Sequence, residues 1–237
     1  MKEKVTNTPA EVPEADFYGR RLAQQAELRA WRLKQRGELA VRALRRNGFE
    51  AHFVATAAQA TQAVLEAIPA GATVGVGGSV TVRQLGVVQA LGDAGHTLYD
   101  HWAPGLSKEA VFGIRRAQLT CDVFLASVNA LTLEGQLVSV DAFGNRTAAM
   151  MFGPHKVVLA VGAQKIVPDL EAALARLRDV CAPLALRESG ADLACVQDGV
   201  CSHCKSEGRL CRATAILDCQ PLCTETTVFV IGKEIGF

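Results

Sequence analysis

The chain has 237 residues, of which 49% are apolar, and its 25 Lys and Arg nearly balance its 24 Asp and Glu. This length suits one large domain with a substantial core. The formal net charge of +1 gives no electrostatic reason to expect nucleic acid as a partner. No apolar run reaches the roughly 18–20 residues that span a bilayer, and the N-terminus lacks the apolar stretch of a secretory signal. We therefore expect a cytoplasmic protein without a membrane span.

Short strands alternate with helices along most of the chain. Polar residues and two prolines predict a disordered tail at 1–15, and a basic helical segment follows at 16–48, as one helix or as two helices broken near Gly37. The main domain then occupies 49–237. Its predicted strands are 50–56, 72–78, 96–102, the first part of 121–131, whose remainder is a loop, 156–167 and 226–236, and a hairpin is predicted at 133–141. Its predicted helices are 58–68, 81–91, 108–120, 147–152 and 169–184.

This alternation predicts an α/β fold with a mostly parallel sheet and helices on both faces. Continuous apolar strands such as VVLAV and VFLA fit a sheet that is covered on both sides. In folds of this kind, ligands bind beyond the carboxyl ends of the strands. Two polar loops of this chain fall at those ends, and they are the first candidates for a ligand site.

The first loop is GGSVTVRQLG, in which a predicted strand runs into Gly77, Gly78 and Ser79 and a helix begins near Thr81. Backbone amides at a helix N-terminus favour anions, and glycines let an anion approach the backbone. The same residues could form a tight turn in which Ser79 only caps the helix. The loop matches neither the Walker A motif nor GxGxxG, so the sequence leaves both interpretations open.

The second loop follows a buried strand that ends near Asn129. After the predicted hairpin come Asp141, Gly144, Asn145 and Arg146, which supply an acceptor, an amide and a cation within six residues. A planar guanidinium group suits a carboxylate or a phosphate. The alternative is a polar turn without a ligand.

Two other titratable side chains are candidates for catalysis. Glu134 lies in a Glu–Gly turn and could act as a nucleophile or a base, although the tip of a hairpin is usually solvated. His101 follows a predicted strand and could act as an acid or a base in the same pocket, or serve a structural role.

Four of the eight cysteines fall in the 17-residue stretch CVQDGVCSHCKSEGRLC. Reduced cytoplasmic thiols clustered in this way favour a metal site over disulfides, which are the alternative in an oxidised protein. Four thiolates suit zinc or an iron–sulfur cluster. The predicted ligands are Cys195, Cys201, Cys204 and Cys211. Cys219 and Cys223 could replace or add a ligand, whereas Cys121 and Cys181 are expected to be ordinary buried thiols.

Several ordered blocks carry a family resemblance. GGSVTVRQLG, DVFLASVNALTLEGQLVSVDAFGNRTAAMMFGPHKVVLAVGAQKIVPDLEAALARLR and the tail CVQDGVCSHCKSEGRLC with FVIGKEIGF resemble the LUD-domain (lactate utilization, YkgG/DUF162-type) family in its short, cysteine-containing branch, over residues 20–237. The resemblance implies a NagB/RpiA/CoA-transferase-like fold whose glycine turn and strand-end loops build the ligand site. Those positions are Gly77, Gly78, Ser79, Asn129, Asp141, Gly144, Asn145 and Arg146.

The family is linked to the oxidation of L-lactate to pyruvate within a multi-subunit, iron–sulfur-containing system. The resemblance therefore implies a component of lactate or related organic-acid oxidation that binds a small anionic substrate, either a carboxylate or a phosphorylated compound. It implies a Cys-ligated centre, an iron–sulfur cluster of the [4Fe–4S] type or zinc, and iron–sulfur oxidoreductase subunits as partners. The alternatives are a non-catalytic assembly or regulatory subunit with structural zinc, and a CoA-transferase or sugar-isomerase-like enzyme, for which no catalytic carboxylate is convincing.

Overall fold

A computed structural model describes residues 14–237 and shows ten strands in two sheets. The predicted tail therefore lies almost entirely outside the described residues. The strands are β1 (Glu50–Val54), β2 (Thr73–Val76), β3 (Thr97–Asp100), β4 (Val123–Ala126), β5 (Ala130–Thr132), β6 (Leu137–Asp141), β7 (Lys156–Gly162), β8 (Ile166–Val167), β9 (Ala213–Leu217) and β10 (Glu225–Ile231).

Nine α-helices lie within residues 14–237, with a 3₁₀ turn at Ala163–Lys165 and a π-helical segment at Leu177–Cys181. The helices are α1 (Glu14–Arg46), α2 (Ala57–Glu66), α3 (Val80–Gln84), α4 (Val87–Asp93), α5 (Lys108–Ala117), α6 (Asn145–Met151), α7 (Leu170–Arg176), α8 (Ala182–Glu188) and α9 (Ala194–Gln197). No helix in this part of the chain is both long enough and apolar enough to cross a bilayer.

The central sheet has the strand order β1-β10-β7-β4-β2-β3, and all its pairs are parallel. Alternate residues of its strands enter two separate cores, because neighbouring side chains of a strand point to opposite faces. Phe124 packs into the core under α1, whereas Val123 and Leu125 pack into the core under α2 and α4. The predicted α/β fold, with a parallel sheet covered on both sides, is confirmed.

The long N-terminal helix is continuous through Gly37. A Cβ atom at this position would lie 2.6 Å from the ring of Phe53, so the glycine lets the helix approach β1 rather than breaking it. The predicted helix at 81–91 is two helices, because Gly86 adopts a left-handed φ of 70° between α3 and α4. The predicted helix at 169–184 continues through the π-helical segment to Glu188.

The second sheet, in the order β8-β5-β6-β9, was predicted only as a hairpin. Its β5 and β6 strands form that hairpin, but β9 was not predicted and pairs antiparallel with β6, with Ala213 opposite Asp141. The predicted strand at 156–167 ends at Gly162, and the 3₁₀ turn separates it from β8. The pairing of β9 with β6 places the cysteine-rich segment near the loops that follow the parallel strands. The end of the strand at Gly162 places Lys165 in one of these loops.

Candidate functional site

A pocket with a cavity volume of about 230 Å³ opens at the carboxyl edge of the central sheet. Its wall includes Ser79 after β2, His101 after β3, Ser127 after β4 and Lys165 after β7. The carboxyl ends of parallel strands meet at one edge, and this edge is where α/β folds place ligands. The pocket thus lies where the strand pattern predicts a ligand site.

Six of the eight residues predicted to contact a ligand line this pocket. They are Gly78, Ser79, Asn129, Asp141, Asn145 and Arg146. Gly77 instead packs against β4, where a Cβ atom would lie 3.1 Å from the Cβ of Ala126. Gly144 adopts a left-handed φ of 76° and begins α6. The structure brings the two predicted loops together, and ligand binding by them remains a prediction.

The guanidinium group of Arg146 is held almost entirely by the protein. It donates to Asp141 Oδ1 (2.9 Å), Asn129 Oδ1 (2.6 Å) and the carbonyl oxygens of Ser127 (2.8 Å) and Val140 (2.9 Å). These bonds use four of the five N–H groups that an arginine carries. Arg146 therefore fixes the loops around the pocket and retains one N–H group for a ligand.

Arg115 of α5 is a second cation in the pocket wall, and the sequence analysis missed it. Its guanidinium carbon lies 3.9 Å from the ring centroid of Phe143, and its buried Nε has no hydrogen-bond partner. Burial lowers its pKa from the ordinary arginine value. No carboxylate within residues 17–237 lies at salt-bridge distance from it, so its charge is available to an anionic ligand.

His101 is buried in the pocket wall, with its Nδ1 atom 2.9 Å from Nε2 of Gln118. Burial and the nearby charge of Arg115 lower the pKa of His101, although Asp100 acts in the opposite direction. The ring is therefore neutral at neutral pH. The side chain lines the pocket, and its role as an acid or a base stays a prediction.

Lys165 is the most buried charged side chain of the pocket wall, with 3% of its surface exposed. Its amine donates to the hydroxyl oxygens of Thr81 (2.8 Å) and Ser127 (3.1 Å). Burial lowers the pKa of Lys165 to about 7, and the charges of Arg176 and Arg146 act in the same direction.

The π-helical segment shapes the opposite wall of the pocket. Segments of this kind occur frequently at functional sites. Here Cys181 ends the segment and lines the pocket, with its Sγ atom 3.7 Å from the carbonyl oxygen of Asn129. Arg176 donates to the same carbonyl oxygen at 3.0 Å. Cys181 is thus buried as predicted but lies in the site, whereas Cys121 lies in the core with a pKa raised by burial to about 11.

The four cysteines predicted as metal ligands lie in one neighbourhood. Burial raises the pKa of Cys195, and the thiols of Cys204, Cys201 and Cys211 raise it further. All eight cysteines are free thiols, and Cys219 and Cys223 are exposed. The donor chemistry suits zinc or an iron–sulfur cluster. Nevertheless, no group of three or more Cys, His, Asp or Glu side chains between residues 14 and 237 is close enough to hold a metal ion. A bound metal thus stays a prediction.

The cysteine-rich segment also forms part of the pocket wall. Arg209 donates to the carbonyl oxygens of Cys204 and Cys211, which folds the segment on itself. The amide of Arg212 donates to the carbonyl oxygen of Asp141 at 3.0 Å, just before β9 pairs with β6. Cys211 consequently lines the same pocket as Lys165.

Family comparison assigns residues 37–230 to the LUD domain. The chain belongs to the LUD-domain family. No curated protein matches the sequence. Among solved structures, the chain is similar to the crystal structure of a DUF162 family protein from Deinococcus radiodurans, at 15% identity and a TM-score of 0.49, with 85% of this chain and 98% of that chain covered.

The pocket wall of this LUD domain contains two guanidinium groups, the titratable amine of Lys165 and one buried carboxylate. Asp141 neutralises Arg146, and Glu188 lies exposed at the wall, whereas Arg115 has no acidic partner at salt-bridge distance among residues 17–237. An unpaired guanidinium group in a partly enclosed cavity favours a small anion, because low local dielectric strengthens charge interactions.

Glu134 lies outside the pocket of the LUD domain. Its side chain is exposed, and its carbonyl oxygen accepts a hydrogen bond at 2.9 Å from the side chain of Asn47, directly after α1. Glu134, the candidate for the catalytic carboxylate of a transferase or an isomerase, is therefore not part of the site. One feature of the sequence could have identified Lys165 as a pocket residue: it is a lone lysine in the mostly apolar stretch LAVGAQKIV, directly after a buried strand.

Proposed function

We propose that this LUD-domain protein is a component of the oxidation of lactate or a related organic acid. In this proposal the pocket at the carboxyl edge binds a small carboxylate or a phosphorylated compound. The cysteine-rich segment holds a metal centre beside it. The observation that carries the proposal is the uncompensated guanidinium group of Arg115 in a pocket of about 230 Å³.

Arg115 supports an anionic ligand better than Arg146 does. Arg146 has a carboxylate partner and donates four hydrogen bonds within the protein. Arg115 is only stacked on Phe143, so its N–H groups can turn to a carboxylate or a phosphate. Gly78 and Ser79 line the same cavity, and the hydroxyl of Ser79, which accepts a hydrogen bond from the amide of Val82, can still donate to a ligand. We therefore assign anion binding to Arg115 and loop organisation to Arg146.

The position of the cysteine-rich segment supports a metal centre near the ligand. Cys211 lies in the pocket wall, and the thiolate form of a cysteine is the form that binds a metal ion. When bound, an iron–sulfur cluster would supply one-electron transfer, whereas zinc would stabilise the fold of the segment. The chain itself would hold this centre with Cys195, Cys201, Cys204 and Cys211.

Ligand titration tests the pocket. We expect L-lactate, pyruvate or inorganic phosphate to bind the full chain in calorimetric titrations. Arg115→Gln should weaken that binding by about tenfold or more, since a hydrogen bond to a charged group contributes about 1.5–3 kcal/mol. Arg116→Gln is the matched control, because Arg116 is the next residue of the same helix and is exposed. Equal affinities of the two variants would contradict the assignment of Arg115.

Metal analysis after purification without air tests the cysteine segment. Iron with visible and electron paramagnetic resonance spectra of a cluster would support electron transfer. We expect Cys204→Ser to lose the metal and Cys219→Ser, an exposed cysteine outside the predicted set, to retain it. One zinc per chain without iron would contradict the electron-transfer part of the proposal.

A non-catalytic assembly or regulatory subunit with structural zinc is the second candidate. It is favoured by the internal hydrogen bonds of Asp141, Asn129 and Arg146, which are the bonds of a structural cluster. This candidate predicts that Arg115→Gln leaves the oxidation of the organic acid unchanged in the assembled system, whereas Cys204→Ser unfolds the C-terminal region. Loss of oxidation in a folded Arg115→Gln protein would exclude it.

A further inference from the structure

Lys165 has an environment that suits a neutral amine. Its amine contacts the hydroxyl groups of Thr81 and Ser127 at 2.8 and 3.1 Å. No Asp or Glu between residues 17 and 237 lies at salt-bridge distance from it. Buried lysines that stay charged are normally paired with a carboxylate. An ion pair therefore does not explain why the amine of Lys165 is buried.

The hydrogen bonds around Lys165 leave its lone pair free. A neutral amine has two N–H groups, and the two hydroxyl oxygens accept both. The carbonyl oxygen of Val128 lies at 3.4 Å, beyond the usual range of about 2.7–3.2 Å. The carbonyl oxygens nearest to the two hydroxyl groups, that of Ile235 for Thr81 and that of Val128 for Ser127, also lie at 3.4 Å, so neither hydroxyl proton is held by a short hydrogen bond to the backbone. The two hydroxyl groups are thus able to accept from the amine and to pass a proton.

The chain also encloses the amine. Gly236 has a left-handed φ of 69°, and a Cβ atom there would lie 3.1 Å from Nζ of Lys165 and would clash with the hydroxyl of Thr81. This packing buries the amine on one side, while Lys165 still lines the pocket, and burial lowers its pKa to about 7. The charged and titratable groups that act on it are Cys181, which raises the pKa, and Arg176 and Arg146, which lower it.

These features define a ligand class. A neutral, buried amine is a nucleophile for carbonyl carbon, and the guanidinium group of Arg115 in the same wall suits a carboxylate. We propose that Lys165 forms an imine with a small oxo acid bound in the pocket. The inference rests on the proposed function, because a 2-oxo acid is what the oxidation of a 2-hydroxy acid such as lactate produces.

The step is balanced without an oxidant or a reductant. The lone pair of Nζ attacks the carbonyl carbon and forms the C–N bond, while the carbonyl π electrons move to oxygen. One proton passes from nitrogen to that oxygen, through the hydroxyl of Thr81 or Ser127, and gives a carbinolamine. The hydroxyl group then leaves as water with the second proton of the amine, and the C=N bond forms. Addition of water reverses the sequence.

Reductive trapping tests this inference on the full chain. The protein is incubated with pyruvate and sodium cyanoborohydride, and the products are mapped by peptide mass spectrometry. We expect one 1-carboxyethyl group per chain, located on Lys165, with a yield that rises as the pH passes about 7. Lys165→Arg should lose the modification. Lys233→Arg should keep it, because Lys233 is an exposed lysine after β10 at the same edge of the sheet.

Two results would overturn the inference. One is modification of exposed lysines in place of Lys165 in the wild-type chain, a result that does not depend on the folding of any variant. The other is binding of pyruvate, measured by calorimetry, without any trapping at Lys165. The second result leaves the proposed function standing, whereas failure of L-lactate, pyruvate and phosphate to bind removes both.

Discussion

Arg146 and Asp141 form a buried ion pair whose partners are all supplied by the protein. Their side chains are 11% and 8% exposed, and Asp141 also accepts a hydrogen bond from the amide of Thr147 at 2.8 Å. Removing one member of a buried pair leaves the other charge without compensation. The main role of this pair is therefore to hold the loop between β6 and α6 against the end of β4.

We expect Arg146→Met to lower the free energy of unfolding by about 3–5 kcal/mol, because it leaves the buried carboxylate of Asp141 unpaired. Urea denaturation followed by circular dichroism measures this cost. Arg116→Met, at an exposed position, should change stability by no more than about 0.5 kcal/mol. A similar small effect for both variants would show that the pair contributes little.

Lys165 should make stability depend on pH. Its pKa is about 7 in the folded protein and about 10.4 in the unfolded chain. Between these values the unfolded chain binds one more proton, so stability rises with pH by up to about 1.4 kcal/mol per unit. The free energy of unfolding of the wild type, relative to Lys165→Met, should therefore be constant below about pH 7 and increase above it. Parallel pH profiles of the two proteins would contradict the lowered pKa.

At the scale of elements, close contacts between backbone atoms determine how the second sheet packs against α1. The turn between β5 and β6 contacts the last turns of α1 at Gly135, which has a φ of 87°. A Cβ atom there would lie 2.7 Å from the carbonyl carbon of Ala43 and 2.8 Å from the amide nitrogen of Leu44. The alternating pattern at 133–141 predicted the hairpin, but this contact sets the position of the hairpin against the helix.

Gly135→Ala tests that contact. The new methyl group must push the hairpin away from α1, in addition to the strain of the left-handed backbone. Gly95→Ala is the control, because Gly95 has a φ of 82° but no heavy atom within 4 Å of a Cβ atom. We expect Gly95→Ala to cost about 1–2 kcal/mol and Gly135→Ala about 1–3 kcal/mol more. Equal midpoints in urea denaturation would show that the hairpin moves without cost.

At the scale of the whole molecule, α1 has two halves with different roles. Residues 17–32 are exposed on all sides, including Trp31 at 61% and Leu22 at 72%, whereas Ala40, Val41 and Leu44 belong to the core. The family match begins at residue 37, close to where the helix becomes buried. The first half thus adds little to the stability of the isolated chain.

Deletion of residues 1–28 should accordingly change the melting temperature by less than about 2 °C in calorimetry, because residues 17–28 are exposed and exposed residues contribute little. Leu44→Ala, in the buried half, should cost about 2–5 kcal/mol through the cavity it creates. A loss of more than about 5 °C on deletion would instead show that the exposed half is packed in solution, as in an assembly of several copies.

The sequence by itself determined the alternation of strands and helices, the parallel sheet and the strand ends at which the pocket lies. These features depend on local periodicity and on turn residues such as Gly77 and Gly78, which act within a few positions. The ordered blocks from GGSVTVRQLG onward also indicated membership of the LUD-domain family, which the match over residues 37–230 confirms. Local patterns misplaced boundaries at Gly86 and Gly162, where one backbone angle or one 3₁₀ turn ends an element, and they missed β9.

Only the tertiary structure decided the partners of the charged groups. Arg115 and Arg116 are equivalent in sequence, yet one faces the pocket and the other faces solvent. Lys165 meets Thr81 from 84 positions away, and β9 places Cys211 beside that pocket. The physical reason is that pKa values and hydrogen-bond partners depend on burial and on atoms within a few ångströms, which segments far apart in the chain supply only after they pack together.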